Sequence, residues 1–528
     1  MRIAFVNITP QVGTWKSKLG GDIFYIYTYL KNKNRNNISV EFFNFNSLFL
    51  NASNIYLSLL LNFKPDMIFF FSYYWNVNII KTLTYNIKCV QPNIEVVVGG
   101  VDTAYNIEQF LNSCLPCDII IRGECEETLN EIVNASIKNN RDYKNILGIT
   151  YRQGKLIIKN EDRPLLEDIN TLPSPFLDNP TIELSLYDGE VAYETLRGCN
   201  FSCSYCLLYS KGLQKVRKYD IIRVEKELKV LLLSKDVKII WFTDPTFNFD
   251  EDRAIQILKI IKKYNSQKPL AFEIKAELLT DNLLDYMKKL NIVSLGIGLQ
   301  SSSQHVNKCV QRSYNPYLFE KNIKKLKSLI PSCELDIDLI YGLPGDTFCR
   351  YKKSIDYILE LGCQVFYQPL RIFNGSKLFN EVSQYGIQYN KFDHNIICNN
   401  TYSLKQMYRT HCINVGIDFI NKKGIYREII DLIKLKEKCR YSDILERIGH
   451  YFGQKKRYDI FRMGSWMPDD RNEEQIFYDF YDVISSYIKE DKSTINNKIK
   501  KTLIGYEKTM SYNKYPKKFK HSYFHLSF

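Results

Sequence analysis

The sequence predicts an α/β chain with an N-terminal doubly wound parallel sheet, a central partial (β/α)6 barrel and a helical C-terminal region. Three observations lead there. Apolar strand-like runs alternate with amphipathic helix-length stretches from residue 1 to about 140, and such units fold as right-handed crossovers into a parallel sheet. The alternation restarts at Glu190 and runs through six strand–helix units, the pattern of an α/β barrel that need not be fully closed. Beyond about residue 395 only helix-like runs remain, such as 403–415, 425–438 and 472–491. The expected domains are 1–145, a connector at 146–186, 187–390 and 391–528.

With 528 residues the chain is too long for one ordinary core, and 45% hydrophobic with 25% charged residues is the balance of a soluble globular protein. No apolar run approaches the roughly 20 residues a membrane span needs. Met1 to Val6 enters a strand at once, which predicts no signal peptide and a cytoplasmic protein. The formal charge of +14 is densest from Lys501 onward. Lysine is abundant throughout, so this charge is expected on solvated faces, and nucleic acid is not the expected partner. Fourteen cysteines without an export signal predict reduced thiols, of which only clustered ones should be ligands.

In the first segment Arg2 to Asn7 reads as a strand, followed by a loop with Gly20 and Gly21 and a helix through Ile23, Ile26, Tyr27 and Leu30. Ser39 to Phe43 is a second strand. Asp66 to Ser72 is apolar on both faces, as a central parallel strand between two helix layers must be. Ile79 to Cys89 is helical, Glu95 to Gly100 a strand, and Asp118 to Glu124 a strand leading into a helix with Glu126, Glu127 and Leu129. Such sheets bind ligands beyond the carboxyl ends of their strands. Gly20, Gly21, Gly99 and Gly100 lie in loops after strands, where a missing side chain permits close approach of a large ligand, although turns need glycine as well. Ile149 to Ile158 reads as a hairpin turning at Gly154, and Pro164, Pro173, Pro175 and Pro180 then mark an extended connector.

In the second segment strands are expected at 190–196, 238–242, 270–274, 293–301, 334–340 and 364–370, with helices between them. Asp244, Glu273, Gln300, Ser301 and Asp346 fall at or just beyond strands, at the carboxyl rim where barrels place their chemistry. The first strand runs into Cys199, Cys203 and Cys206, spaced C-x3-C-x2-C. Three thiols this close leave one over if they pair as disulfides, and no second C-x2-C pair follows at zinc-finger spacing. Thiolates are the usual ligands of iron–sulfur clusters, and three of them leave one iron open. Cys114, Cys117 and Cys125 raise the same question more weakly, because Cys117 precedes a buried strand and Pro116 stiffens the turn.

The C-x3-C-x2-C motif, with Tyr205 directly before its last cysteine, resembles the signature of the radical S-adenosylmethionine (SAM) superfamily. The resemblance implies a [4Fe–4S] cluster on Cys199, Cys203 and Cys206 whose open iron chelates the amino and carboxylate groups of SAM. Reduction of that cluster would cleave the sulfonium to a 5′-deoxyadenosyl radical inside a shielding barrel. The resemblance covers the whole second segment. It places Tyr205 and Gly342 (in Tyr341-Gly342-Leu343-Pro344-Gly345) beside the adenine, Asp244, Glu273, Gln300 and Ser301 along SAM, and Arg312 at the carboxylate. It also implies an external electron donor such as flavodoxin or ferredoxin, and a substrate, small molecule or peptide, that the sequence does not name.

The first segment, with Val98-Gly99-Gly100 and Arg122-Gly123-Glu124-x-Glu126, is similar to the cobalamin-binding domain of one large radical SAM branch. The implied activity is methylation or rearrangement of an unactivated carbon, with Gly20, Gly21, Gly99 and Gly100 near the cobalamin. The sequence departs from many cobalamin domains in one respect. The first histidine of the chain is His305, so no histidine of the first domain can be an axial ligand. Two alternatives stand beside this reading: a cobalamin-independent radical SAM enzyme whose first domain is a scaffold, and a non-catalytic iron–sulfur or nucleic-acid-binding protein.

Overall fold

The computed structural model describes residues 1–9, 21–34, 37–46, 53–73, 75–100, 117–138, 141–178, 189–207, 215–265, 267–391, 393–422, 424–455, 480, 483 and 484. The first domain holds strands β1 (Arg2–Thr9), β2 (Ser39–Asn46), β3 (Met67–Phe71), β4 (Glu95–Gly99) and β5 (Ile119–Ile121). They interleave with helices α1 (Gly21–Lys33), α2 (Ser53–Asn62), α3 (Val77–Val90) and α4 (Glu126–Ile137). Strand alternation sorts the core into two layers. Phe5, Phe69 and Val97 face α1 and α4, while Val6, Phe70 and Val98 face α2 and α3. This two-sided burial is why β3 and β4 are apolar throughout.

The sheet order is β2-β1-β3-β4-β5-β6-β7, with β1 to β5 parallel. Strand order therefore reverses between β1 and β3, the point where doubly wound sheets leave a ligand crevice. Buried Asn76 bridges that point, donating to the Phe71 carbonyl at 3.0 Å and the Ile8 carbonyl at 3.3 Å while accepting from the Tyr73 amide at 2.8 Å.

The hairpin expected at 149–158 forms as β6 (Ile149–Gln153) and β7 (Leu156–Lys159), with Gly154 in the left-handed region at its turn. It pairs antiparallel with β5 and so continues the first sheet, rather than starting the connector. Arg122 explains this: its guanidinium donates to the Ile149 and Asn160 carbonyls, both at 2.6 Å, clamping the hairpin to the end of β5.

The second domain is a six-stranded parallel sheet: β8 (Glu190–Tyr193), β11 (Ile239–Phe242), β12 (Leu270–Ile274), β13 (Ile292–Gln300), β14 (Glu334–Tyr341) and β15 (Gln364–Pro369), neighbours in that order. Between β8 and β11 a short ribbon, β9 (Leu196–Arg197) with β10 (Arg217–Lys218), flanks the cysteine loop. The helices are α5 (Ile221–Leu233), α6 (Glu251–Asn265), α7 (Asp281–Met287), α8 (Gln304–Cys309), α9 (Pro316–Leu329) and α10 (Phe348–Glu360). Phe242, Phe272, Leu295 and Leu335 pack toward this helical layer, leaving Glu273, Gly296 and Asp336 in register on the other face.

The C-terminal region opens with a two-stranded ribbon, β16 (Gln388–Tyr389) and β17 (Ile396–Cys398), followed by α11 (Leu404–Lys422), α12 (Gly424–Glu437) and α13 (Tyr441–Lys455). The helix expected over 472–491 falls almost wholly outside the described residues. No helix among the described residues is long and apolar enough to cross a membrane.

Candidate active site

The cysteine loop is held at both ends. On the approach side Asp244, buried behind β11, accepts hydrogen bonds from the Thr195 amide at 2.7 Å, the Leu196 amide at 3.2 Å and the Thr195 hydroxyl. Arg253 donates to the Thr195 carbonyl at 3.1 Å. On the far side the Ser204 amide donates to the Val310 carbonyl at 2.9 Å, and the Leu378 amide to the Ser204 carbonyl at 2.8 Å. Between these anchors lie Cys199, Cys203 and Cys206, none of them in a disulfide, with Cys203 buried.

Asp244, expected along SAM, has both carboxylate oxygens engaged by Thr195 and Leu196 and shapes the backbone that leads into the loop. Burial raises its carboxyl to about 6, against the hydrogen bonds from Thr195 and Leu196.

Arg312, on the segment after α8, reaches the middle of the loop. Its Nη1 lies 3.6 Å from the Cys203 sulfur and 3.5 Å from the Tyr205 hydroxyl, and its Nη2 donates to the Gly298 carbonyl. Burial works against this charge, yet Tyr205, Cys203 and Glu277 outweigh it and hold the guanidinium protonated. Gly298 makes the arrangement sterically feasible: a Cβ there would sit 2.8 Å from both Arg312 Nη2 and Gln300 Nε2. Lys275, just after β12, donates to the Ser313 carbonyl at 2.7 Å, pairs with Glu277 at 3.2 Å and lies 5.4 Å from the centroid of the Phe201 ring in the loop.

Gln300 ends β13 with φ +66°, a left-handed conformation that costs a non-glycine residue on the order of 1 kcal/mol and is tolerated where the surroundings enforce it. It is only 7% exposed, and its Oε1 has no hydrogen-bond partner among the described residues. A buried acceptor in this state fits a site that receives a ligand donor. Ser301 is buried beside it, its carbonyl accepting from Asn307 Nδ2 at 2.6 Å. Glu273 lies on the adjoining strand, in register with Gly296.

Gly342 has φ +82°, and the place of a Cβ is taken by Met407 Cε at 2.7 Å and Ile396 Cγ2 at 3.0 Å, so the C-terminal region covers this turn. In the first domain Gly20 lies outside the described residues, and Gly21 opens α1. A Cβ on Gly99 would meet Cys125 Sγ at 2.7 Å, and one on Gly100 would meet the Ser72 carbonyl oxygen at 2.4 Å. Both glycines are thus demanded by the chain's own packing. Cys114 is not among the described residues. Cys117 is fully buried with its thiol pushed up to about 12, principally by burial, and donates toward the Ile119 carbonyl, which is the behaviour of a core thiol.

Among the described residues no three His, Cys, Asp or Glu side chains form a ready metal cage. The donor set still suits an iron–sulfur cluster: three thiols on one loop, backbone anchored at both ends, and a buried cation beside the central sulfur. A family model for the radical SAM superfamily matches residues 193–358. That segment of the second domain carries the radical SAM match.

The radical SAM match begins at Tyr193, within β8, and ends in α10, so it takes in the cysteine loop and the Arg312 site. Relatives extend it. The uncharacterized methyltransferase PH0819 of Pyrococcus horikoshii is 26% identical over 276 residues, 52% of this chain and 60% of that protein. The cobalamin-dependent radical SAM methyltransferase TokK of Streptomyces tokunonensis is 24% identical over 353 residues, 62% of this chain and 50% of TokK. The match thus spans half to three-fifths of these curated relatives. Among solved structures, the cobalamin-dependent S-adenosylmethionine radical enzyme OxsB with aqua-cobalamin bound superposes with a TM-score of 0.64 at 15% identity, over 96% of this chain and 81% of OxsB. The radical SAM methyltransferase TsrM of Kitasatospora setae, with cobalamin and a [4Fe-4S] cluster bound, gives 0.56 at 13% identity, over 72% and 74%. These likenesses support the expected succession of doubly wound sheet, partial barrel and C-terminal region.

Sequence reasoning missed Asn76, Gly298 and Lys275. Gly298 had a signal, since a glycine two residues after Gly296 in a buried strand marks a close approach. Asn76 and Lys275 had none, because the contacts that tie them into the fold, to the Ile8 and Ser313 carbonyls, are distant in sequence.

Proposed function

We propose that the protein is a cobalamin-dependent radical SAM enzyme that methylates or rearranges an unactivated carbon, with methylation as the leading reaction. The observation that supports it best is the meeting of two ligand-binding edges: the turn after β5 is hydrogen-bonded to the strand that enters the cysteine loop. In this reading Cys199, Cys203 and Cys206 hold a [4Fe–4S] cluster. Bound there, it supplies reductive cleavage of the SAM sulfonium, with electrons from a donor of the flavodoxin or ferredoxin class.

The chain's own residues do the rest. Arg312 sets its guanidinium beside the Cys203 sulfur and orients Tyr205. Gln300 Oε1 accepts a donor from SAM, Glu273 and Ser301 line its path, and Gly342 closes the rim. Cobalamin would be held at the carboxyl edge of the first sheet, by residues of the β1/β3 crevice that Asn76 bridges, with Gly21, Gly99 and Gly100 beside it, and would supply the methyl carrier. The substrate is a small molecule or peptide.

Anaerobic reconstitution with iron, sulfide and hydroxocobalamin tests the reading. Wild type should keep both groups through gel filtration and form 5′-deoxyadenosine or transfer a labelled SAM methyl group once reduced. Cys203→Ala should lose the iron. An intact cluster in Cys203→Ala would sink the ligand assignment.

The scaffold reading of the first domain has one observation in its favour, the filled space beside Gly99 and Gly100. Failure of the full-length protein to retain hydroxocobalamin at micromolar concentration would select it.

A further inference from the structure

Two residues before the first cysteine, Arg197 turns from the barrel to the other domain. Its Nη1 lies 3.1 Å from Glu124 Oε1, its Nη2 2.8 Å from Glu126 Oε1, and its Nε donates to Glu194 Oε1 at 2.9 Å. Glu124, on the turn after β5, completes the joint, its Oε2 accepting from Arg217 Nη1 at 2.9 Å and from the Leu166 amide at 3.1 Å. Arg217 faces Arg197 across the β9–β10 ribbon, so both guanidiniums of one rung converge on one carboxylate. The side chains of Arg197 and Glu126 are only 12% and 7% exposed.

Such a network adds little to stability, because desolvating the charges offsets most of their attraction. What the guanidinium adds is geometry, since one rigid plane whose N–H groups are held at once by Glu124, Glu126 and Glu194 fixes angle as well as distance. The attraction between the domains has another source nearby: Tyr25 of α1 stacks on Tyr219 at 6.0 Å, with the rings 12° apart. Apolar area brings the domains together, and the charges set their register. The register they set is between the carboxyl ends of β5 and β8, the edges at which both sheets take ligands.

We propose that Arg197 and Glu124 are positioning residues that hold the cysteine loop at a set distance from the ligand edge of the first domain, so that transfer between the two sites depends on this joint more than SAM cleavage does. The coupling half rests on the cofactor reading above; the geometric half does not.

Two measurements test it. In the full-length protein without cofactors, amide hydrogen exchange is compared between wild type, Arg197→Lys, which keeps the charge but loses the rigid plane, and Glu124→Gln. Exchange across residues 195–207 should rise about tenfold while β12 to β14 stay protected. An equal rise in every strand, or none, overturns the proposal. Should Arg197→Lys fail to fold, Glu126→Gln carries the same comparison. In enzyme reconstituted with iron, sulfide and hydroxocobalamin, 5′-deoxyadenosine formed per labelled methyl group passed from SAM to the bound cobalamin should rise about fivefold in Glu124→Gln, and an unchanged ratio overturns the coupling. A wild type that retains no cobalamin would sink the cofactor reading while leaving the exchange result to stand.

Discussion

The Arg312 guanidinium bridges Gly298 and Cys203, donating to the carbonyl of one while lying 3.6 Å from the sulfur of the other. A fixed positive charge beside a thiolate-bound cluster favours its reduced, more negative form. Arg312→Met should therefore lower the cluster midpoint potential by about 50 mV in an EPR-monitored redox titration, with iron content retained. An unchanged potential would mean that the guanidinium serves packing alone.

Gly298→Ala should disturb the same site from the opposite side. The added methyl would lie 2.8 Å from Arg312 Nη2 and from Gln300 Nε2, so at least one must move. The expected outcome is a KM for SAM raised about tenfold, measured as uncoupled 5′-deoxyadenosine formation, with the fold intact by circular dichroism.

Asp244→Ala removes the acceptor of the Thr195 and Leu196 amides, both in buried backbone. Leaving two buried donors without partners costs about 3 kcal/mol, read as a lower urea midpoint, while Asp244→Asn keeps an acceptor oxygen and should lose less. Equal losses for the two variants would show that the carboxylate's charge, and not its acceptors, is what the site needs.

What could and could not be read in the sequence follows from how far apart the cooperating residues lie. The alternation of β3 and β4 with helices was legible because two-sided burial imposes an apolar run locally. The three cysteines were legible because their chemistry needs them within one loop. Asp244 stands at a rim position where a SAM contact is reasonable, but its direction is set by Thr195, 49 residues earlier. Arg197 and Glu124 are 73 residues apart, and no local pattern encodes such a pair. Helix α13 lies within the expected helical C-terminal region although Gly449 and Gly453 lower the helix propensity of 441–455, so its packing and not its local sequence sustains it.

That same Gly449 is indispensable to packing. A Cβ there would lie 1.6 Å from the Cys412 carbonyl oxygen of α11, a contact with backbone that no rotamer relieves. Gly449→Ala should separate α11 from α13 and destabilise the C-terminal region by about 3 kcal/mol or more, seen as an early transition in thermal unfolding.

Asp346 predicts a pH dependence. It is 1% exposed, its Oδ2 has no hydrogen-bond partner among the described residues, and burial raises its carboxyl from 3.8 to about 7. Because the folded pKa is the higher one, its contribution is fully present below the unfolded value and is lost as pH rises through about 7. Between pH 4 and 8 the stability of wild type relative to Asp346→Asn should fall, by at most about 4 kcal/mol, measured by urea unfolding at each pH. A difference that stays flat would mean that the carboxyl keeps an ordinary pKa.

The barrel sheet ends at β8 on one edge and β15 on the other. Neither edge is bordered by the barrel's own helices alone. Helix α1 of the first domain packs at β8, and α11 grips β15, with Asn421 donating to the Val365 carbonyl at 3.0 Å and Asp418 accepting from the Tyr367 hydroxyl at 2.7 Å. The doorway to the lumen is therefore framed by the two appended domains. A change in the C-terminal helices would therefore reshape that frame while leaving every residue of the cysteine loop in place.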